Sequence, residues 1–139
     1  MIFVPFEAGH LHQLKLQPAQ AYLSSAVTEE ELGLEQHPSH TAMRGSEVLG
    51  CAGVIEQWEG RGTAWALIGE TGPKDFITIH RAVKRFLDVC YFKRIELTVD
   101  CDFPAGHRWA KMLGFDMECE RMVAYGPKEK DASLYSRVQ

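Results

Sequence analysis

No stretch of this chain is long and apolar enough to cross a bilayer as a helix. The longest apolar stretches, such as Ala64–Gly69, fall far short of the ~20 residues such a span needs. The first residues, Met1–Glu7, lack a basic flank and a sustained apolar core, so no secretory leader is expected there. Basic residues are outnumbered, 15 Lys and Arg against 19 Asp and Glu, for a net charge of −4. That balance argues against nucleic acid, whose phosphates call for a basic face. Cysteines are few: Cys51, Cys90, Cys101 and Cys119 stand far apart with no C-x-x-C among them. They read as small buried hydrophobes in a reducing compartment rather than as a disulfide framework. The close pairs His10-x-His12 and His37-x-x-His40 have no cysteines at ligand spacing, so no metal is expected. A G-x-S-x-G nucleophile elbow and a G-x-x-x-x-G-K-[ST] phosphate loop are also missing. These absences leave a cytoplasmic protein with neither a membrane nor a nucleic-acid partner as the expectation.

What is present suits a folded domain. With 139 residues, 45% hydrophobic and 24% charged, the chain can bury a core, and residues 1–139 are expected to form one domain. Met1–Phe6 reads as a strand. Leu11, Leu14 and Leu16 read as helical up to Pro18, followed by a further helical stretch over Ala19–Ala26. Thr28-Glu29-Glu30-Glu31 has the form of a capping box, opening a short helix with Leu32 and Leu34. Thr41–Arg44, a Gly45-Ser46 turn and Glu47–Trp58 predict a hairpin, and Thr63–Gly69 a third strand after the Glu59–Gly62 turn. After Pro73, the residues Phe76, Ile79, His80, Val83, Phe86, Leu87 and Cys90 recur at helical spacing and predict the longest helix. Lys93–Val99 alternates like a strand, and Pro104–Leu113 predicts a short helix stopped by Gly114. Phe115–Tyr125 and Ser133–Val138 supply the last two strands.

The order strand, two helices, three strands, long helix, strand, short helix, two strands resembles the GNAT acyltransferase fold. Its most specific part is His107-Arg108-Trp109-Ala110-Lys111-Met112-Leu113-Gly114-Phe115. This run looks like the family's short helix ending in leucine–glycine–phenylalanine, with Arg94–Asp100 as the strand before it. The resemblance implies an α/β single-domain GNAT fold, a mixed central sheet flanked by helices, and acetyl-CoA as cofactor. It implies an N-acetyltransferase acting on a small-molecule or protein amine. A narrower resemblance, carried by Met43–Val54 and Pro104–Phe115, is to the small GNAT-like proteins encoded among the virion genes of short-tailed phages. It implies the alternative of a non-catalytic phage or prophage protein of virion assembly or internal virion structure. Its partners would be phage structural proteins, in the host cytoplasm or the virion.

Acyl transfer sets three needs against which the residues can be read. The coenzyme diphosphate calls for backbone N–H groups at a helix start, where the family places an (Arg/Gln)-x-x-Gly-x-(Gly/Ala) loop. The stretch here is Gly69-Glu70-Thr71-Gly72-Pro73-Lys74-Asp75-Phe76-Ile77-Thr78. With Arg81-Ala82 in the usual place, the glycine positions carry Phe76, Thr78 and His80, so the loop is degraded. Ile68, Gly69, Gly72, Lys74, Asp75, Phe76 and Ile77 remain the candidate coenzyme-binding residues, with Asp75 expected to repel phosphate. A plain capped helix start is the competing reading. The family's usual acidic tyrosine falls on Ala110, which leaves Tyr125 as a candidate acid or, equally, a packed tyrosine. Glu70, at the end of a strand, and His107, at the start of the short helix, are candidate bases for the amine proton. Glu56, late in the presumed third strand, is a further candidate; both glutamates read more simply as solvated surface charges, and His80 as a residue of the helix's apolar stripe.

Overall fold

The computed structural model describes residues 1–16, 18–20 and 33–139. The expected helical stretch Ala19–Ala26, from residue 21 on, and the capping box with Leu32 lie outside the described residues. The elements are β1 (Ile2–Pro5), α1 (Gly9–Gln13), β2 (Ser39–Arg44), β3 (Glu47–Trp58), β4 (Arg61–Ile68), α2 (Pro73–Val89), β5 (Arg94–Asp100), α3 (Pro104–Met112), β6 (Asp116–Met122) and β7 (Ala132–Val138). Hydrogen-bonded neighbours follow the order β1-β2-β3-β4-β5-β7-β6. The sheet is mixed. β4 and β5 run parallel, joined by α2 as their crossover helix. The β1–β2, β2–β3, β5–β7 and β6–β7 pairs are antiparallel.

The described residues cluster into two compact units, Met1–Ile55 with Ala64–Cys90 and Glu56–Thr63 with Tyr91–Gln139. In the first, Phe6, Leu14, Leu34, Val48 and Cys51 form a buried cluster, with Trp65 among its partly buried margin. Helix α1 is shorter than the Leu11–Leu16 spacing suggests, because Leu14 is already extended and Leu16 forms a bridge with Gly69. Sheet-like pairing with the residue that follows β4 overrides the helical period there. His10 is buried, and its Nδ1 lies 2.8 Å from the Thr41 hydroxyl, which itself lies 3.6 Å from Cys51 Sγ. Burial pushes the Cys51 thiol up to about 11, so it is an inert core group. The α2 stripe appears as expected: Ile79 and Leu87 are buried, each burial stabilising by about 1.5–3 kcal/mol, while Arg81, Arg85 and Asp88 are exposed.

In the second unit the leucine–glycine–phenylalanine run has a local physical cause. Gly114 takes φ +90° and donates to Lys111 O, while Phe115 N–H reaches back to Ala110 O at 3.0 Å. This pair of bonds closes α3 as a Schellman motif, whose left-handed position suits glycine, and both Leu113 and Phe115 are buried beside it. Among the described residues β6 bonds to β7 alone and is an edge of the sheet.

A charge ladder crosses the strands of this unit. Arg61 pairs with Glu96, Arg94 Nε lies 3.3 Å from the same carboxylate, and Arg94 grips Glu118 through Nη1 and Nη2 at 2.7 and 2.8 Å. The bidentate Arg94 bond, then the Ser136 hydroxyl, holds the Glu118 carboxyl down at about 2 against an ordinary 4.5. A depressed carboxyl contributes stability above its unfolded value and loses it as pH falls toward the folded one. Between pH 4.5 and 2 the protein is therefore expected to lose stability, and Glu118→Gln to flatten that slope. Thermal unfolding of both forms across this window checks it.

Candidate functional site

β4 ends, and α2 begins, within a few residues, and this junction gathers most of the candidate coenzyme residues. Ile68 is buried, and Gly69 donates its N–H to Leu49 O at 2.9 Å. A Cβ on Gly69 would stand 2.9 Å from Lys15 O and 3.1 Å from Leu49 O, so two backbones close on this position. Glu70 is exposed, donates its N–H to Lys15 O at 3.1 Å, and pairs its carboxylate with Lys15 Nζ at 3.1 Å.

Gly72 is the N-cap of α2 and Pro73 its first residue, where a missing N–H costs nothing. Among the described residues no side chain caps this end, and a Cβ on Gly72 would meet nothing within 4 Å. The helix's first intrahelical bond runs from Phe76 N–H to Gly72 O at 3.0 Å. The amides of Lys74 and Asp75 therefore precede it in the first turn, where helical amides have no carbonyl behind them. Phe76 is half-buried with its ring stacked on His80, 6.5 Å between centroids. Thr78 turns back to donate to Lys74 O at 3.1 Å, and Ile77 is exposed.

Arg44, a residue the sequence reading passed over, changes the electrostatics of this helix start. At the end of β2 it binds the Asp75 carboxylate with both terminal nitrogens, Nη1 at 2.7 Å. The Arg44 hydrogen bonds, with its charge and that of the amino terminus, lower the Asp75 carboxyl below the usual range. Asp75 is thus a neutralised partner rather than a bare anion in the first turn. The signal in sequence is weak, since an arginine before a hairpin turn is ordinary.

His107 and Tyr125 belong to the second unit. His107 Nε2 faces Asp100 O at 3.0 Å and Cys101 O at 3.3 Å, so it carries the proton and donates. Nδ1 then accepts from the Tyr135 hydroxyl at 2.8 Å. Burial raises the Tyr135 phenol, which keeps it a donor at neutral pH. Both ring nitrogens are engaged in joining α3 to β5 and β7. Tyr125 is exposed, in the loop that follows β6, and Ala110 at the tyrosine position is buried. Nearby, a cavity of about 360 Å³ is lined by Cys101, Asp102, Arg121, Glu129, Lys130 and Asp131. Its charges are largely paired, Arg121 with Asp131 and Lys130 with Asp102 at 3.2 Å.

Neither a protein-family model nor a curated protein sequence matches the chain. Solved structures do. The chain is similar to Ard1 from Thermoplasma volcanium at 15% identity and TM-score 0.78, covering 99% of this chain and 96% of that one. It is similar to the GNAT superfamily phosphinothricin acetyltransferase from Sinorhizobium meliloti in complex with AcCoA, at 14% identity and TM-score 0.69, covering 99% and 87%. A GNAT family acetyltransferase from Bacillus anthracis aligns at 14% identity and TM-score 0.66, covering 98% and 93%. At such identities the likeness establishes the fold, and this chain has the GNAT fold.

Proposed function

We propose that the protein binds acetyl-CoA at the start of α2 and transfers the acetyl group to an amine. The observation that carries this is the α2 start itself: Gly72 open to a ligand, Pro73 behind it, no side-chain cap among the described residues, and Asp75 already neutralised by Arg44. One structure of the same fold was solved in complex with AcCoA, which supports the choice of coenzyme. Acetyl-CoA, when bound, supplies a thioester carbonyl activated toward amines. The amides of Gly72, Lys74 and Asp75, which precede the first intrahelical bond, would hold its diphosphate, and the Lys74 ammonium adds charge. Ile68 and Gly69 form the strand end beside this helix start, and Ile77 lies in its exposed first turns.

Glu70 serves as the base. Its exposed carboxylate, two residues past the end of β4, takes the proton of the amine directly or through water. His107 acts through position, fixing α3, because its nitrogens are already engaged. Tyr125 belongs to the other compact unit and is not assigned as the acid for the leaving thiolate. Loss of an acid slows such a step by about 10²–10⁴ without abolishing it, since a thiol of pKa ~8.5 leaves tolerably well.

A second reading is favoured by Phe76 and Thr78, which stand where the family carries glycines. It is a non-catalytic protein that keeps the fold for a structural role, phage virion assembly included. Thermal unfolding with 1 mM acetyl-CoA separates the two. Binding with a dissociation constant of about 10 μM adds roughly 2.7 kcal/mol, an expected rise of roughly 5–10 °C. An unchanged unfolding temperature overturns the coenzyme reading and leaves the structural one.

A further inference from the structure

We infer that Arg44, delivered from the β2–β3 hairpin, is a direct ligand of the coenzyme diphosphate and takes over the work of the missing loop glycines. The inference rests on the acetyl-CoA reading above and adds to it a residue outside the α2 loop.

The argument starts from donors. A guanidinium carries five N–H groups, and the two bonds to Asp75 engage one hydrogen on Nη1 and one on Nη2. The Nε–H and the second hydrogen of each terminal nitrogen remain for another acceptor. The side chain is half exposed, 53% against 22% for Asp75, so an incoming anion reaches it from solvent. Arginine's planar fork suits phosphate oxygens better than a lysine's point charge does.

Position supplies the second part. Asp75 is the third residue of α2, one turn from the cap, so a guanidinium bonded to its carboxylate stands beside the first-turn amides. Asp75 then acts as a tether. It holds the fork at the helix start and cancels its own repulsion of phosphate in the same contact. Phe76 occupies a position where a glycine would let the backbone approach the ligand, and Pro73 offers no N–H, so the amide cradle is short of donors. Arg44 makes good that shortage with up to three. The anion partner this arrangement fits is a diphosphate, which spans more than one donor group at once.

The test is calorimetric titration of coenzyme A and of dephospho-coenzyme A into the wild type, R44A, R44K and R44A/D75N, with unfolding temperatures as a check on folding. R44A is expected to weaken both ligands at least tenfold and to the same degree, because the diphosphate is common to them. R44K, which keeps the charge and loses the fork, should fall between, and it carries the test alone if R44A does not fold. The double variant should stay weak. Recovery of affinity in R44A/D75N would mean that Arg44 only screens Asp75, and would overturn the inference. So would unchanged affinity in both single variants, or a loss confined to coenzyme A, which would point to the 3′-phosphate instead. A wild type that binds neither ligand sinks the acetyl-CoA reading itself, a result distinct from each of these.

Discussion

Replacing Gly53 by alanine should lower the unfolding temperature by roughly 5–10 °C, the largest effect expected of any single methyl group added to this chain. A Cβ there would stand 2.6 Å from Pro38 O, 2.7 Å from Ser39 Cβ and 2.9 Å from Ser39 Cα. These atoms are backbone or fixed to it, so no rotamer change relieves the contact. Ser39 is the register partner of Gly53, and Pro38 O accepts the N–H of Val54 at 2.9 Å. To make room, the start of β2 must leave β3, and with it the bond from Phe6 N–H to Ser39 O. Overpacking of this kind costs about 2–3 kcal/mol. Gly50→Ala is the internal comparison. Its closest contact, at 2.9 Å, is Ile68 Cδ1, the far end of a flexible side chain, so a clearly smaller loss is expected. Parallel thermal melts of the two variants read the difference, and equal melting points would show that β2 yields more easily than this geometry implies.

His107→Ala is expected to cost about 2–4 kcal/mol of stability. The imidazole joins three elements through both nitrogens, and its removal leaves the Tyr135 hydroxyl without its acceptor. Tyr135 is 0% exposed in the intact protein, where its hydroxyl depends on this acceptor. Denaturant unfolding of His107→Ala, Tyr135→Phe and the double variant separates the polar contact from packing. The double should lose less than the two singles summed, because Tyr135→Phe removes the very group that His107→Ala strands. Strict additivity would mean that the two rings do not depend on each other.

Much of the fold is legible in the chain because its elements carry strong local signals. Glu47–Trp58 coincides with β3, and the Pro73 start with its stripe to Cys90 gives α2 to within a residue. Leu113-Gly114-Phe115 is legible for a reason that lies in backbone geometry, the left-handed cap that ends α3. Legibility fails where a distant partner decides. Leu14 and Leu16 fit a helical period, but the pairing of Leu16 with Gly69 draws that segment out of the helix. The candidate site divides the same way. Gly72 and Pro73 announce a helix start from their own chemistry. Asp75 reads as a charge that repels phosphate until Arg44, thirty-one residues earlier, is seen to bind it. His107 reads as a free base in one dimension. Only the fold brings Tyr135 and the Asp100 carbonyl to its two nitrogens.

The open side of β6 has its own consequence. A strand bonded on one side presents a row of unmatched amides and carbonyls to any other strand in solution. Asp116, Glu118, Glu120 and Arg121 interrupt that row with charge, and a second edge laid against it would have to bury or neutralise them. Arg94 gives this guard unusual persistence, since the carboxylate it grips keeps its charge down to about pH 2. The same guanidinium that braces β5 against β6 thereby keeps the rim of the sheet inhospitable to its own copies, in conditions where most carboxylates have already fallen silent.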